Sequence, residues 1–187
     1  MNEIQYIPIT AAELLKIIIS NPNRPFENYE ITDELEIIDL HLEFLSFKNC
    51  SFNENVFIQG NLGSGITFSE CNVKKKLKII KSYARFKKLG LNNIYQVGID
   101  SSIKFDNSNI YDLVMFQLNL ERGIIIDNNT QVDNLVIEQL NSHVNSALKI
   151  SNSKILSHFE LTKITTNNNI DIRMSEINCF ARFENIK

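Results

Sequence analysis

Few residues in this chain have the type and spacing that catalysis requires. Its three histidines, His41, His143 and His158, stand far apart, with no Cys or Glu cluster at metal-ligand distance and no nucleophile beside them. The acids are mostly dispersed, although Asp33/Glu54, Asp106/Asp127 and Asp112/Asp133 recur about one repeat apart. A polysaccharide lyase or hydrolase needs several carboxylates converging on one cleft. None of these pairs has a neighbouring base or a third carboxylate, so they read as exposed turn columns. The three cysteines, Cys50, Cys71 and Cys179, are an odd number, and the first two occupy places that want a small hydrophobe. They read as structural thiols rather than disulfides or ligands. There is no Gly-rich phosphate loop and no Gly-x-Ser-x-Gly. The expectation is a protein that is not an enzyme, with no catalytic residue, metal or cofactor.

Charge is the other candidate. Between residues 71 and 99 stand Lys74, Lys75, Lys76, Lys78, Lys81, Arg85, Lys87 and Lys88 with no acid among them, in a chain whose net charge is −3. In the repeat register described below these side chains form a belt around the third and fourth coils. Such a belt attracts an acidic protein surface, nucleic acid or anionic lipid. Coil stacking would set Lys75 beside Glu54, Lys88 beside Glu70 and Lys87 beside Asp106, which offsets part of it. Only Tyr83 and Phe86 interleave with the basic residues, so nucleic acid is the weaker version.

The elements that would position these groups follow from a repeat. An apolar residue, a usually small residue three later and an apolar residue five later recur eight times, starting at Phe26, Phe47, Phe68, Phe86, Phe105, Ile126, Ile150 and Ile172. The small position is held by Cys50, Cys71, Leu89, Ser108, Asn129, Ser153 and Ser175 after a first Tyr29. A second apolar pair follows in each unit: Leu35/Ile37, Val56/Ile58, Leu77/Ile79, Tyr95/Val97, Val114/Phe116, Leu135/Ile137, Phe159/Leu161 and Ala181/Phe183. Starting residues lie 18 to 24 apart, a period at which each unit buries its apolar side only against its neighbours. Alternation such as Leu77-Lys78-Ile79 marks short strands with one buried face. The prediction is an all-β, right-handed β-helix of about eight coils. Phe47, Phe68, Phe86 and Phe105 would stack in one interior column that Ile126 continues. Two positions after each starting residue comes a column rich in asparagine (Asn28, Asn49, Glu70, Lys88, Asn107, Asn128, Asn152, Met174), suited to a coil corner.

Residues 10–20 read as a capping helix, with Thr10 and Glu13 closing a capping box and Leu14, Leu15, Ile17 and Ile18 as the apolar stripe. Residues 1–25 thus form an N-terminal segment and 26–187 the β-helix, together one domain. No apolar run reaches the roughly 18 residues of a membrane span, and no secretory leader pattern opens the chain, which reads as cytoplasmic. The last coil has no capping segment after it. Phe180 and Phe183 would therefore lie open on its edge, and a homodimer through this coil, a partner protein or a further C-terminal region of a longer chain would each cover them.

Phe47-Lys-Asn-Cys50-Ser-Phe52 and Ile150-Ser-Asn-Ser153-Lys-Ile155, with a helix ahead of the first coil, resemble the pentapeptide-repeat family of right-handed β-helices. The resemblance spans roughly residues 10–187. Steps of six (Phe52 to Ile58, Val73 to Ile79, Ile110 to Phe116) depart from the family's five, and its Ala-Asp-Leu wording is missing. What the resemblance implies is a non-catalytic scaffold; the reading is of a bacterial protein that binds a protein partner through its surface, with the eight-residue basic belt, found from charge, as the contact. The alternative is a nucleic-acid-related protein, either binding through the belt or mimicking DNA to protect a topoisomerase. A polysaccharide-acting β-helix enzyme comes third.

Overall fold

A computed structural model describes residues 5–22, 24–40, 42–60, 62–80, 102–120, 123–142, 147–166 and 169–187. Every strand pair in it is parallel and joins equivalent places in successive units, so the chain winds as a β-solenoid. One face is a seven-stranded sheet made by Pro25–Glu27, Leu42–Lys48, Leu62–Ser69, Ser102–Asp106, Gly123–Asp127, Leu148–Ser151 and Ile170–Arg173. A twelve-stranded sheet wraps the remaining sides; its longest members, Asn109–Leu120 and Gln131–Ser142, each bend across several of them. Seven strand levels correspond to about six full turns.

The interior column begins as expected and then departs from the repeat count. Phe26 stacks on Phe47 at 5.8 Å between ring centroids and Phe47 on Phe68 at 5.4 Å, all fully buried. The next ring is Phe105, whose centroid lies 5.5 Å from that of Phe68. Phe68 and Phe105 are direct strand partners, and Val73 likewise pairs with Ile110. No coil lies between them, so the described stack has seven levels rather than eight. Phe86, Tyr95 and Val97 lie outside the described residues. Below Phe105 the column continues through Ile126, Ile150 and Ile172, as predicted.

Two further assignments change. In the Phe105 unit the inward pair is Leu113/Met115, fully buried and aligned with Leu77/Ile79, rather than Val114/Phe116. The step from Ile110 is then five to Met115, and Asp112 faces Asn134 rather than Asp133. In the Ile126 unit Thr130, not Asn129, takes the small position. Asn129 is an extra exposed residue in the left-handed region, at φ 62°.

The corner two residues after each starting residue is left-handed in all seven described coils, from Asn28 (φ 62°) to Met174 (φ 49°). Asparagine visits this region at low cost, which accounts for its abundance there. A second left-handed column passes through Asp39, Gln117, Gln139, Lys163 and Asn185, with Gly60 at the equivalent place. Cys50, Cys71, Ser108, Thr130, Ser153 and Ser175 point inward beside the first column and bond the carbonyl that the corner frees. Ser108 Oγ donates to Asp106 O at 2.9 Å and accepts from Cys71 N at 3.1 Å; Thr130 Oγ1 donates to Asp127 O at 2.7 Å and accepts from Ser108 N at 3.3 Å.

The helix Ala11–Ser20 covers the first coil, with Leu14 and Ile18 buried beneath it. The capping box forms as expected. Asp33 Oδ1 accepts from Ala11 N at 2.6 Å, so the first coil itself caps the helix. Ahead of the helix, Ile7–Ile9 adds a strand beside Tyr29–Ile31 that the sequence reading missed; the Ile7/Ile9 alternation was its only signal.

Candidate interaction surfaces

Most of the groups singled out for chemistry are engaged in structural contacts. His158 Nε2 lies 3.3 Å from Glu160 Oε2 on an outer strand, while His41 and His143 lie outside the described residues. Asp33 is committed to the helix N-terminus. Asp106 and Asp127 are neighbours in register, yet each is tied down by local donors. Asp127 accepts from Asn128 N at 2.8 Å and Ser151 Oγ at 3.0 Å, and Asp106 accepts from the Asn128 amide. Burial works against the Asp127 carboxylate, but the Asn128 N–H and Ser151 hydroxyl outweigh it and hold its pKa below the usual aspartate value. Among the described residues no three His, Cys, Asp or Glu side chains converge as metal ligands. Cys50 and Cys71 are buried and unbridged, and the hydrogen bond that the Cys71 thiol donates to the Cys50 sulfur, together with burial, pushes the Cys71 thiol upward and keeps it neutral.

Four of the eight basic residues can be placed. Lys74 Nζ donates to Asn53 Oδ1 at 2.6 Å, Lys75 pairs with Glu54, and Lys76 Nζ lies 3.3 Å from Asp112 Oδ2. Lys78 sits over the Phe57 ring at 5.8 Å. The predicted Lys75–Glu54 contact is therefore present. Lys81, Arg85, Lys87 and Lys88 lie outside the described residues, as do their predicted contacts with Glu70 and Asp106.

The last coil is unlike the rest. Ile172, Met174, Phe180, Phe183 and Ile186 are all exposed, Phe180 at 71% and Phe183 at 51%, whereas the aligned Ile150 and Leu161 one coil earlier are at most 1% exposed. Among these side chains run two short charged pairs, Arg173 Nε to Asp171 Oδ1 and Arg182 Nη2 to Glu184 Oε1, both 2.7 Å. Among the described residues, the strands Ile170–Arg173, Glu176–Ile177 and Phe180–Glu184 each pair on one side only.

A groove of about 260 Å³ opens on the outer wall, lined by Asn72, Val73, Lys74, Asn109, Ile110, Tyr111, Gln131 and Asp133. Nothing in the repeat analysis pointed to it, because it arises from a change in corner length. Three residues separate the inward positions at Val73–Leu77 and at Ile155–Phe159, but only two at Ile110–Leu113 and Val132–Leu135. The strand registers shift at those points.

No family model, curated protein or solved structure matches the chain.

Proposed function

We propose that this chain is a non-catalytic, pentapeptide-repeat-like scaffold that engages a protein partner through its surface, and that a second copy of the chain is such a partner. The observation that carries this reading is the last coil. Its apolar side chains and one-sided strands form a preorganised surface of the kind that protein association buries. Its charges favour self-association. Around a twofold axis, Asp171-Ile172-Arg173 run antiparallel to its own copy sets Asp171 against the partner's Arg173 and Ile172 against the partner's Ile172. Arg182-Phe183-Glu184 does the same, with Phe183 on the partner's Phe183. Isologous interfaces require this self-complementarity.

Sedimentation equilibrium tests the proposal. The expected species is a dimer of the 21.5 kDa chain at micromolar concentration, reduced to monomer by Phe183→Glu. A wild-type monomer would overturn the self-association, and a dimer that survives Phe183→Glu would place the interface elsewhere. The basic belt is the second contact in this reading, although Lys74, Lys75, Lys76 and Lys78 already have intramolecular partners. That argues against the nucleic-acid alternative, for which a steep fall of duplex DNA binding with salt would be required.

A further inference from the structure

The outer groove differs from the rest of the corner surface in how its polar groups are used. Elsewhere, corner side chains bond one another from coil to coil: Asn49 to Asn28 at 2.5 Å, Asn53 to Glu30 at 3.0 Å, Asn55 to Glu34 at 2.8 Å. In the groove, Asn72, Asn109 and Gln131 stand in register on three successive coils; their backbone N–H groups bond from coil to coil, but none of their side-chain amides is hydrogen-bonded among the described residues. Tyr111 and Asp133, on the shortened corners, are likewise without a side-chain partner there, and the Tyr111 side chain is 56% exposed. Polar side chains that could have satisfied one another, as their neighbours do, are instead held apart around a concavity.

We propose that this groove binds a neutral saccharide chain lying along the rod. Three amides spaced one strand apart, about 4.8 Å, offer both donors and acceptors in a line, which matches ligands with hydroxyls on successive units. Tyr111 supplies an aromatic face for the apolar side of a sugar ring and a phenolic hydroxyl at its rim. The other ligand classes fit less well. An anion would find one cation, Lys74, already bonded to Asn53. A peptide backbone would need an open strand edge, and the strands here are paired on both sides. A compact apolar ligand would need enclosing apolar walls, whereas only Val73 and Ile110 are apolar among the lining residues.

The test is titration calorimetry of the full chain with cellohexaose, xylohexaose, chitohexaose and maltohexaose, and with hexaglutamate as the peptide probe. At least one hexasaccharide is expected to bind below about 1 mM. Tyr111→Ala is expected to weaken it about tenfold and Gln131→Ala about fivefold, as for loss of one stacking or hydrogen-bonding contact. Tyr111→Phe should keep most of the affinity, and Lys16→Ala, on the helix over the first coil and outside the groove, should keep all of it. Thermal unfolding of each variant is read alongside; should Tyr111→Ala fail to fold, Tyr111→Phe and Gln131→Ala carry the comparison. The proposal is overturned if no hexasaccharide binds at about 5 mM, if hexaglutamate binds in preference, or if the groove variants bind as the wild type does.

Discussion

Replacing Ser108 by alanine probes the device that lets these coils turn. The Ser108 hydroxyl donates to the Asp106 carbonyl at 2.9 Å and accepts from the Cys71 N–H at 3.1 Å, at a fully buried position. Alanine removes one net hydrogen bond, worth about 1 kcal/mol, and leaves a buried N–H without its side-chain acceptor, which costs about 1–3 kcal/mol more. The lost volume is too small to add a large cavity term. The sum is about 2–4 kcal/mol, which lowers the melting temperature of a chain this size by roughly 4–16 °C. Ser108→Cys should cost less, because a thiol at this corner still donates, as Cys71 Sγ does to Ser69 O at 3.3 Å. Thermal unfolding followed by circular dichroism reads both variants. If Ser108→Ala melts within 2 °C of wild type, or if cysteine is no better than alanine, the inward polar ladder contributes nothing to the corners and the reasoning fails.

Other expectations follow from the same packing. Phe105→Ala should cost roughly 3–5 kcal/mol in urea unfolding, since Phe105 is fully buried and stacked on Phe68; a loss below 1 kcal/mol would contradict the column. A chromogenic disulfide reagent should leave Cys50 and Cys71 unlabelled in the native protein and label all three thiols in urea, because the first two are buried and Cys71 is held neutral. Fast native labelling of either buried thiol would refute this. The Asp127 pKa lies below its ordinary 3.8, so its contribution to stability is full above that value and is lost as pH falls through the lower folded value. Asp127→Asn should therefore flatten the acid limb of the melting-temperature profile below about pH 4, and an unchanged limb would show that the group does not matter there.

The solenoid was legible because its period is written in inward residues: Phe47, Phe68 and Phe105 could only be interior, and Asn28, Asn49 and Asn152 could only be corners. The level count was not, because the spacing of apolar residues alone does not say which units stack directly on one another. Leu113-Val114-Met115-Phe116 is apolar in both frames, so alternation could not choose between them, and stacking on Leu77/Ile79 decided it. The second left-handed column escaped notice because Gln117, Gln139 and Lys163 have no preference for that region. The groove escaped for a related reason. A corner one residue shorter looks like noise in a repeat, and it becomes a dent only when longer corners stack on either side of it.

The central claim is that the coil of Phe68 lies directly on the coil of Phe105. Thr67 and Lys104 are register partners on the outer side of the first sheet, so their Cα atoms stand one strand spacing apart, about 4.8 Å. That spacing is within reach of a disulfide, while an intervening coil would double it and forbid the bond. In a Cys179→Ser background, the Thr67→Cys/Lys104→Cys variant should close a disulfide under mild oxidation, detected as a mobility shift lost on reduction. Failure of this folded variant to cross-link would put a coil between the two strands and contradict the account.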